Sequence, residues 1–404
     1  MPIAFKLSLL CLLAVLVAPV SGQNAGALFD DSVLHDIFLE MSPTDWETLK
    51  ANFSANTYYP GNLRWRDQTV QSVGIRSRGG ASRSGDKPGL RVDFDRYERR
   101  QTFLSLKSVV LDNSTQDPSL IKERLVMSLF RQMGIPAPRM AHTRLYVNGQ
   151  FAGVYAIIEP IDKDFLMRQV GENTGYLYEF DNNGIYGFEY LGDDGSLYIP
   201  SPFEPETHED DPKPEFLVAF IRFVNEAGDE DFQRRIGEFL NVEKFATYLA
   251  VETFISEIDG FTGFDGMNNF YVYRFNGANR WEFFPWDKDL TFSDPTHSVT
   301  HNFSQNVLIR RLMNLPEFRD ALVGGLTRLS DIAGGAGGWL EQELDRAADQ
   351  IRTAAYADTF HKCPGTNVSC SAEYFEITLS ELRQFISLRN TYVANELHDL
   401  GMIP

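Results

Sequence analysis

The residues from Asp259 to Asp289 hold the densest set of groups able to do chemistry. Asp259 closes a helical run, and an Asp265-containing loop leads to Asn268-Asn269. Then come the strand Phe270–Phe275, the turn 276–279, the strand Trp281–Phe284, and Pro285-Trp286-Asp287-Lys288-Asp289. A hairpin returns its ends to one place, so Asp287 must come back beside Asn268 and Asn269. Paired carboxylates with an amide oxygen suit a hard cation such as Mg²⁺ or Mn²⁺. Asn269, Asp287 and Asp289 are therefore the candidate metal ligands, and Asp259 or Asp265 beside them is the candidate base. Phosphoryl transfer to a hydroxyl asks for this set: metal to hold phosphates and an Asp to orient the nucleophile. Asp-Gly and Asn-Gly pairs also form turns without any chemistry. The segment Asp287-Lys288-Asp289 alone would also fit the metal bridge of a glycosyltransferase. It is the order of the whole set that points to phosphoryl transfer.

Those residues need elements to position them. Asn241 caps a helix predicted over 242–258, which delivers Asp259. Upstream, alternation from Thr69 to Asp95 predicts strands around the loop 78–85, and Asp117-Pro118 opens an amphipathic helix over 119–133. Asn148-Gly149 between two apolar runs is a strong hairpin signal. Ser42-Pro43 starts a short helix. The loop 204–214, acidic and Pro-rich, reads as a solvated excursion, and four helices are predicted over 306–400 with 334–338 as a flexible joint. The fold class is α+β in two lobes: a sheet-rich lobe over 23–160 and a mostly helical lobe over 161–404.

Composition bounds the setting. The chain has 404 residues, 43% hydrophobic and 23% charged, which suits a globular protein with a sizeable core. A formal charge of −19 excludes the basic footprint of a dedicated nucleic-acid binder and suits a basic partner. Lys6, the apolar run Leu7–Val17 and a small-residue exit to Gly22 read as a secretory signal over 1–22. The run is too short for an ordinary membrane span, so no stable membrane insertion is expected after cleavage, and the location is secreted, extracellular or cell envelope. Cys363 and Cys370 bracket a turn-rich loop and can close a small disulfide. Sequons stand at Asn52, Asn113, Asn302 and Asn367.

Asp259…Asn268-Asn269-Phe-Tyr-Val-Tyr followed by Trp281-Glu-Phe-Phe-Pro-Trp-Asp287-Lys-Asp289 resembles the CotH family of spore-coat-type atypical protein kinases. Arg76-Ser-Arg78-Gly79-Gly-Ala-Ser82 with Lys87, the segment Asp117–Leu125 and the segment Val147–Lys163 are similar to further stretches of that family. The likeness runs from about residue 33 to about 330, the last 70 residues or so adding little. It implies a diverged protein-kinase-like fold that binds ATP with Mg²⁺ or Mn²⁺ and phosphorylates Ser or Thr of a protein substrate. It also implies roles. Asp259 would be the catalytic Asp, with Asp265 competing; Asp287, Asn269 and Asp289 would hold metal. Lys87 would contact phosphates and pair with Glu123; Arg78, Gly79 and Ser82 would face the phosphates; Glu159 would line the adenine. No GxGxxG or HRD triplet is present. A Ser-rich, basic substrate would suit the acidic surface. The alternatives are a non-catalytic adhesin or envelope protein of the same fold and the metal-dependent glycosyltransferase; the latter expects an early parallel nucleotide-binding sheet.

Overall fold

The computed structural model describes residues 24–181, 184–363 and 368–403. The expected signal over 1–22 and the sequon at Asn367 lie outside these residues. After a short helix α1 (Ala25–Leu28), seven strands close into a barrel: β1 (His35–Met41), β2 (Tyr59–Trp65), β3 (Gln68–Ser77), β4 (Leu90–Asp93), β5 (Ser108–Asp112), β6 (Met140–Val147) and β7 (Gln150–Ile158). The order is β1-β2-β3-β4-β5-β7-β6, and parallel pairing of β1 with β6 shuts it. Along β1, Ile37, Leu39 and Met41 point inward and alternate with more exposed residues, the period of a half-buried strand. Helix α2 (Pro43–Ala51) follows β1, with the Ser42 hydroxyl accepting from the Asp45 N–H.

Helix α3 (Lys122–Gln132) lies between β5 and β6 in the chain, yet Leu125, Met127 and Phe130 join the core of the other lobe. It starts later than the pattern suggests. The Asp117 carboxylate accepts from the Ser119 N–H and hydroxyl and from the Lys122 N–H, winding 117–121 into a turn. Leu120 adopts φ 63° within it.

Beyond α4 (Lys163–Val170) a second sheet forms from β8 (Tyr176–Phe180), β9 (Phe203–Pro205), β10 (Phe270–Arg274) and β11 (Trp281–Pro285), ordered β11-β10-β8-β9. The loop expected to be a solvated excursion thus begins as strand β9. Helices α5 (Pro214–Glu226), α6 (Asp229–Phe239) and α7 (Val242–Phe254) cover this sheet, and α8 (Val307–Leu312), α9 (Pro316–Ala333), α10 (Trp339–Ala357) and α11 (Ala372–Asp399) complete the lobe. Helix α7 is apolar nearly all round and buried accordingly.

Helix α7 ends at Phe254, four residues before its expected end. Fully buried Arg389 of α11 donates to the carbonyl oxygens of Phe254 at 2.7 Å and Thr253 at 2.5 Å, and to those of Pro295 and His297 at 2.7 Å. The last carbonyls of a helix lack partners within it; here a residue 135 positions away supplies them. The Gly-rich joint 334–338 is a compact turn closed by backbone hydrogen bonds from Gly334 to Ser330 and from Gly338 to Gly335, both 3.0 Å. Cys363 and Cys370 form the expected disulfide. The sequon residue Asn113 is buried, its side-chain amide donating to the carbonyls of Ser82 (3.0 Å) and Lys87 (2.8 Å), so it has no face to offer a glycan.

Candidate functional site

The β10–β11 hairpin does what its register requires. Phe270 faces Pro285, and the Trp286 N–H donates to the Asn269 carbonyl oxygen at 3.2 Å. Asn269 and Asp287 therefore sit beside each other, and both hold left-handed backbone, φ 57° and 51°. Asn and Asp tolerate that conformation better than bulkier residues, and such strain gathers at functional sites.

Asp259 stands against this pair. Its Oδ1 accepts from the Asn268 side-chain amide and its Oδ2 from that of Asn269, each at 3.0 Å. Asn269 also donates to the Asp259 carbonyl oxygen at 2.9 Å. With its N–H groups committed to Asp259, Asn269 has its amide oxygen left to face a cation. Asp265 lies at the exposed tip of a tight turn bridged between Gly263 and Gly266.

Arg78, following β3, brings the barrel to the same place. Its Nη1 pairs with Asp112 Oδ2 at 3.1 Å, and the guanidinium lies 5.5 Å from the Trp286 ring centre. Burial alone would lower its pKa, but Asp112, Asp287 and Glu179 outweigh burial and hold it above the ordinary value. From α3, the buried Glu123 carboxylate lies close enough to feel the charges of Asp287, Asp112 and Arg78.

The carboxylates outnumber the cation. Burial, then the charge of Asp112, pushes Asp287 up to about 6 despite Arg78. Burial with Asp287 and Asp112 nearby pushes Glu123 well above the carboxylate range. Asp289 is raised for the same reasons, its acidic neighbours being Asp287 and Glu123. An excess of buried negative charge is what a bound divalent cation would neutralise. Among the described residues, no three His, Cys, Asp or Glu side chains stand in position to hold a metal by themselves.

One expected pairing changes. Lys87 does not pair with Glu123. Its Nζ meets Asp358 Oδ2 at 2.8 Å, with both side chains buried. The same oxygen accepts from the Val154 N–H at 2.9 Å, and Oδ1 accepts from those of Phe360 and His361 at 3.1 Å. Gly153 allows the approach: a Cβ there would stand 2.7 Å from that Asp358 oxygen and 2.9 Å from Lys87 Cε. Glu159, placed at the adenine by resemblance, is buried and paired with Arg139 (2.6 Å) and with Arg168. Both buried carboxylates are thus paired with cations from distant or neighbouring elements. Gly79 has φ 112°, with the Arg83 Nε donating to its carbonyl oxygen at 2.6 Å, and Ser82 is held through its carbonyl by Asn113.

Asp112, Asp358, Glu252 and Glu257 went unmarked in the sequence. Glu252 and Glu257 sit in α7 and just after it, five apart; the signal available was two acids in an otherwise apolar run.

A barrel lobe and a mainly helical lobe meeting at an acidic cluster define a two-lobed α+β protein of kinase-like type. The CotH kinase protein family matches residues 75–393, and the chain belongs to that family. The match reaches well past residue 330 into the C-terminal helices, including Asp358 and Arg389. The chain is 24% identical over 297 residues to "Inner spore coat protein H" of Bacillus subtilis, covering 71% of this chain and 78% of that protein. It is 23% identical over 290 residues to "Invasin CotH3" and 19% identical over 283 residues to "Spore coat protein homolog 1", both of Rhizopus delemar, covering 67% of this chain in each case. The aligned stretches span 46% and 44% of those two proteins. The solved structure titled "Crystal structure of A Helicobacter pylori proinflammatory kinase CtkA" overlaps 76% of this chain and 94% of its own at 11% identity, with a TM-score of 0.27, too low to carry an argument. Among the described residues no helix is long and apolar enough to cross a membrane.

Proposed function

We propose that this protein is an exported protein kinase that transfers the γ-phosphate of ATP to Ser or Thr of a protein substrate with a divalent metal. The observation that carries the reading is the hairpin-built meeting of Asp287 with Asn269, clamped against Asp259, beside the buried carboxylates Glu123 and Asp289. Asp287 and the Asn269 amide oxygen would hold Mg²⁺ or Mn²⁺, with Asp289 as a further donor; phosphate oxygens and water complete such a shell. A metal bound there neutralises phosphate charge and favours departure of the γ-phosphoryl group. Arg78 is the protein cation placed to meet phosphate oxygens. Asp259, clamped by Asn268 and Asn269, presents a fixed carboxylate to a substrate hydroxyl and takes its proton. Lys87 acts on the loop 78–87, which it anchors to Asp358. The acidic surface suits a basic, Ser-rich substrate.

The test is label transfer from ATP to a Ser-rich basic protein with Mg²⁺ or Mn²⁺. Asp287→Ala is expected to abolish it; transfer no lower than in the intact protein would sink the assignment. The Rhizopus delemar relative named "Invasin CotH3" suggests a second reading, a surface protein that keeps the fold without turnover. Failure of ATP with metal to raise the melting temperature would support that reading. Nothing favours the glycosyltransferase: the barrel ladders are antiparallel except where β1 meets β6.

A further inference from the structure

Lys288 stands between Asp287 and Asp289 but takes no place beside them. Its ammonium turns into the protein and is fully buried, 2.8 Å from Glu252 Oε1 and 4.0 Å from Glu257 Oε2. These acids hold the loop that carries Asp259. Glu257 Oε1 accepts from the Asp259 N–H at 2.8 Å, and Glu252 Oε2 accepts from the Phe261 N–H at 3.0 Å. Gly260, between those amides, leaves no space: a Cβ would fall 2.1 Å from Glu252 Oε2 and 2.9 Å from Lys288 Nζ. Glu252 is fixed in turn by the Tyr248 hydroxyl at 2.8 Å. One residue thus joins two pieces of the site: the Asp287 segment by the chain itself and the Asp259 loop by its ammonium.

We propose that Lys288 is the positioning residue of this site, setting Asp259 relative to Asp287 through Glu252 and Glu257. The inference rests on the phosphoryl-transfer reading. It adds a role for a cation that touches neither substrate nor phosphate. A buried ammonium between two carboxylates has few alternative places to go, so the backbone amides those carboxylates hold are fixed with it. Reacting groups must be held to within fractions of an ångström.

Lys288→Met tests it, with Asp287→Ala run alongside. Transfer by Lys288→Met is expected to fall about 100-fold in kcat, the effect of misplacing a reacting group by about 1 Å. At saturating metal its KM for ATP stays within about threefold of the original. Apparent Mn²⁺ affinity, read by thermal shift in the presence of ATP, weakens about tenfold because Asp287 is no longer held. A residue serving folding alone would lower the melting temperature and leave kcat per folded molecule and Mn²⁺ affinity unchanged; that result overturns the proposal. If Asp287→Ala is fully active, the kinase reading itself fails. If Asp287→Ala is dead while Lys288→Met keeps full kcat, only the positioning role fails. Should Lys288→Met not fold, Glu257→Gln and Glu257→Ala decide. Gln keeps an acceptor for the Asp259 N–H but loses the charge that faces Lys288, and Ala loses both, so kcat should fall in Gln and about tenfold further in Ala; full kcat in Gln, or equal kcat in the two, overturns the proposal.

Discussion

Two of the ionic groups among the described residues are balanced in opposite ways. At Lys87–Asp358 one cation meets one carboxylate, and three backbone N–H groups complete the carboxylate's partners. Burial would raise the pKa of Asp358, but Lys87 and these bonds outweigh it and hold it below the ordinary value. At the acidic cluster, Glu123, Asp287 and Asp289 crowd one another, and burial together with mutual repulsion raises all three. A closed pair holds two parts of a fold together. An open surplus of one sign costs stability in the empty protein and is relieved by binding a cation. The sign of the pKa shift, more than the burial, separates the two kinds of charge.

Asp358→Ala should have the largest effect on stability. It strands a buried ammonium, which costs about 3–5 kcal/mol, read by urea unfolding. Transfer per folded molecule should fall less than about tenfold, since the pair lies outside the reacting groups. An equal loss in both quantities would erase the distinction between the two sites. Asp287→Asn should reverse the pattern. Asn keeps the left-handed backbone, transfer drops about 100- to 1,000-fold, and stability at pH 7 rises by on the order of 2 kcal/mol. The sign follows from a folded pKa raised from 3.8 to about 6. The ionised form is disfavoured by folding, so the penalty is full above pH 6 and disappears as pH falls towards 4. The variant's advantage in urea midpoint should therefore vanish by about pH 4; an advantage independent of pH would mean that Asp287 is not strained by charge. Mn²⁺ with ATP should raise the melting temperature of the parent protein more than that of the variant. The smallest effect belongs to Asn241→Ala, which removes the side-chain acceptor for the Lys244 N–H at the start of α7. It should cost about 1 kcal/mol and leave the pH profile of either site unchanged.

What could be read in advance depended on how far apart the partners stand in the chain. The meeting of Asn269 with Asp287 was legible because a short hairpin admits one outcome, and the Ser42 and Asn241 caps were legible for the same local reason. The partner of Lys87 was not, because Asp358 is 271 residues away and belongs to no local pattern. Glu123 lay on the expected helix, but the acids it is buried beside, Asp287 and Asp112, come from other elements. Lys288 looked like the spacer of an Asp-x-Asp motif; only the packing of α7 shows it turned inward. The early end of α7 is likewise dictated by Arg389.

That last contact sets an order of events during synthesis. The end of the helix leading into Asp259 is held by a side chain 135 positions further along, so the segment that would perform the chemistry should settle only once residue 389 is present. Chains truncated just before and just after that residue should differ in protease resistance across 255–297; equal resistance would show that the loop settles without its distant clasp.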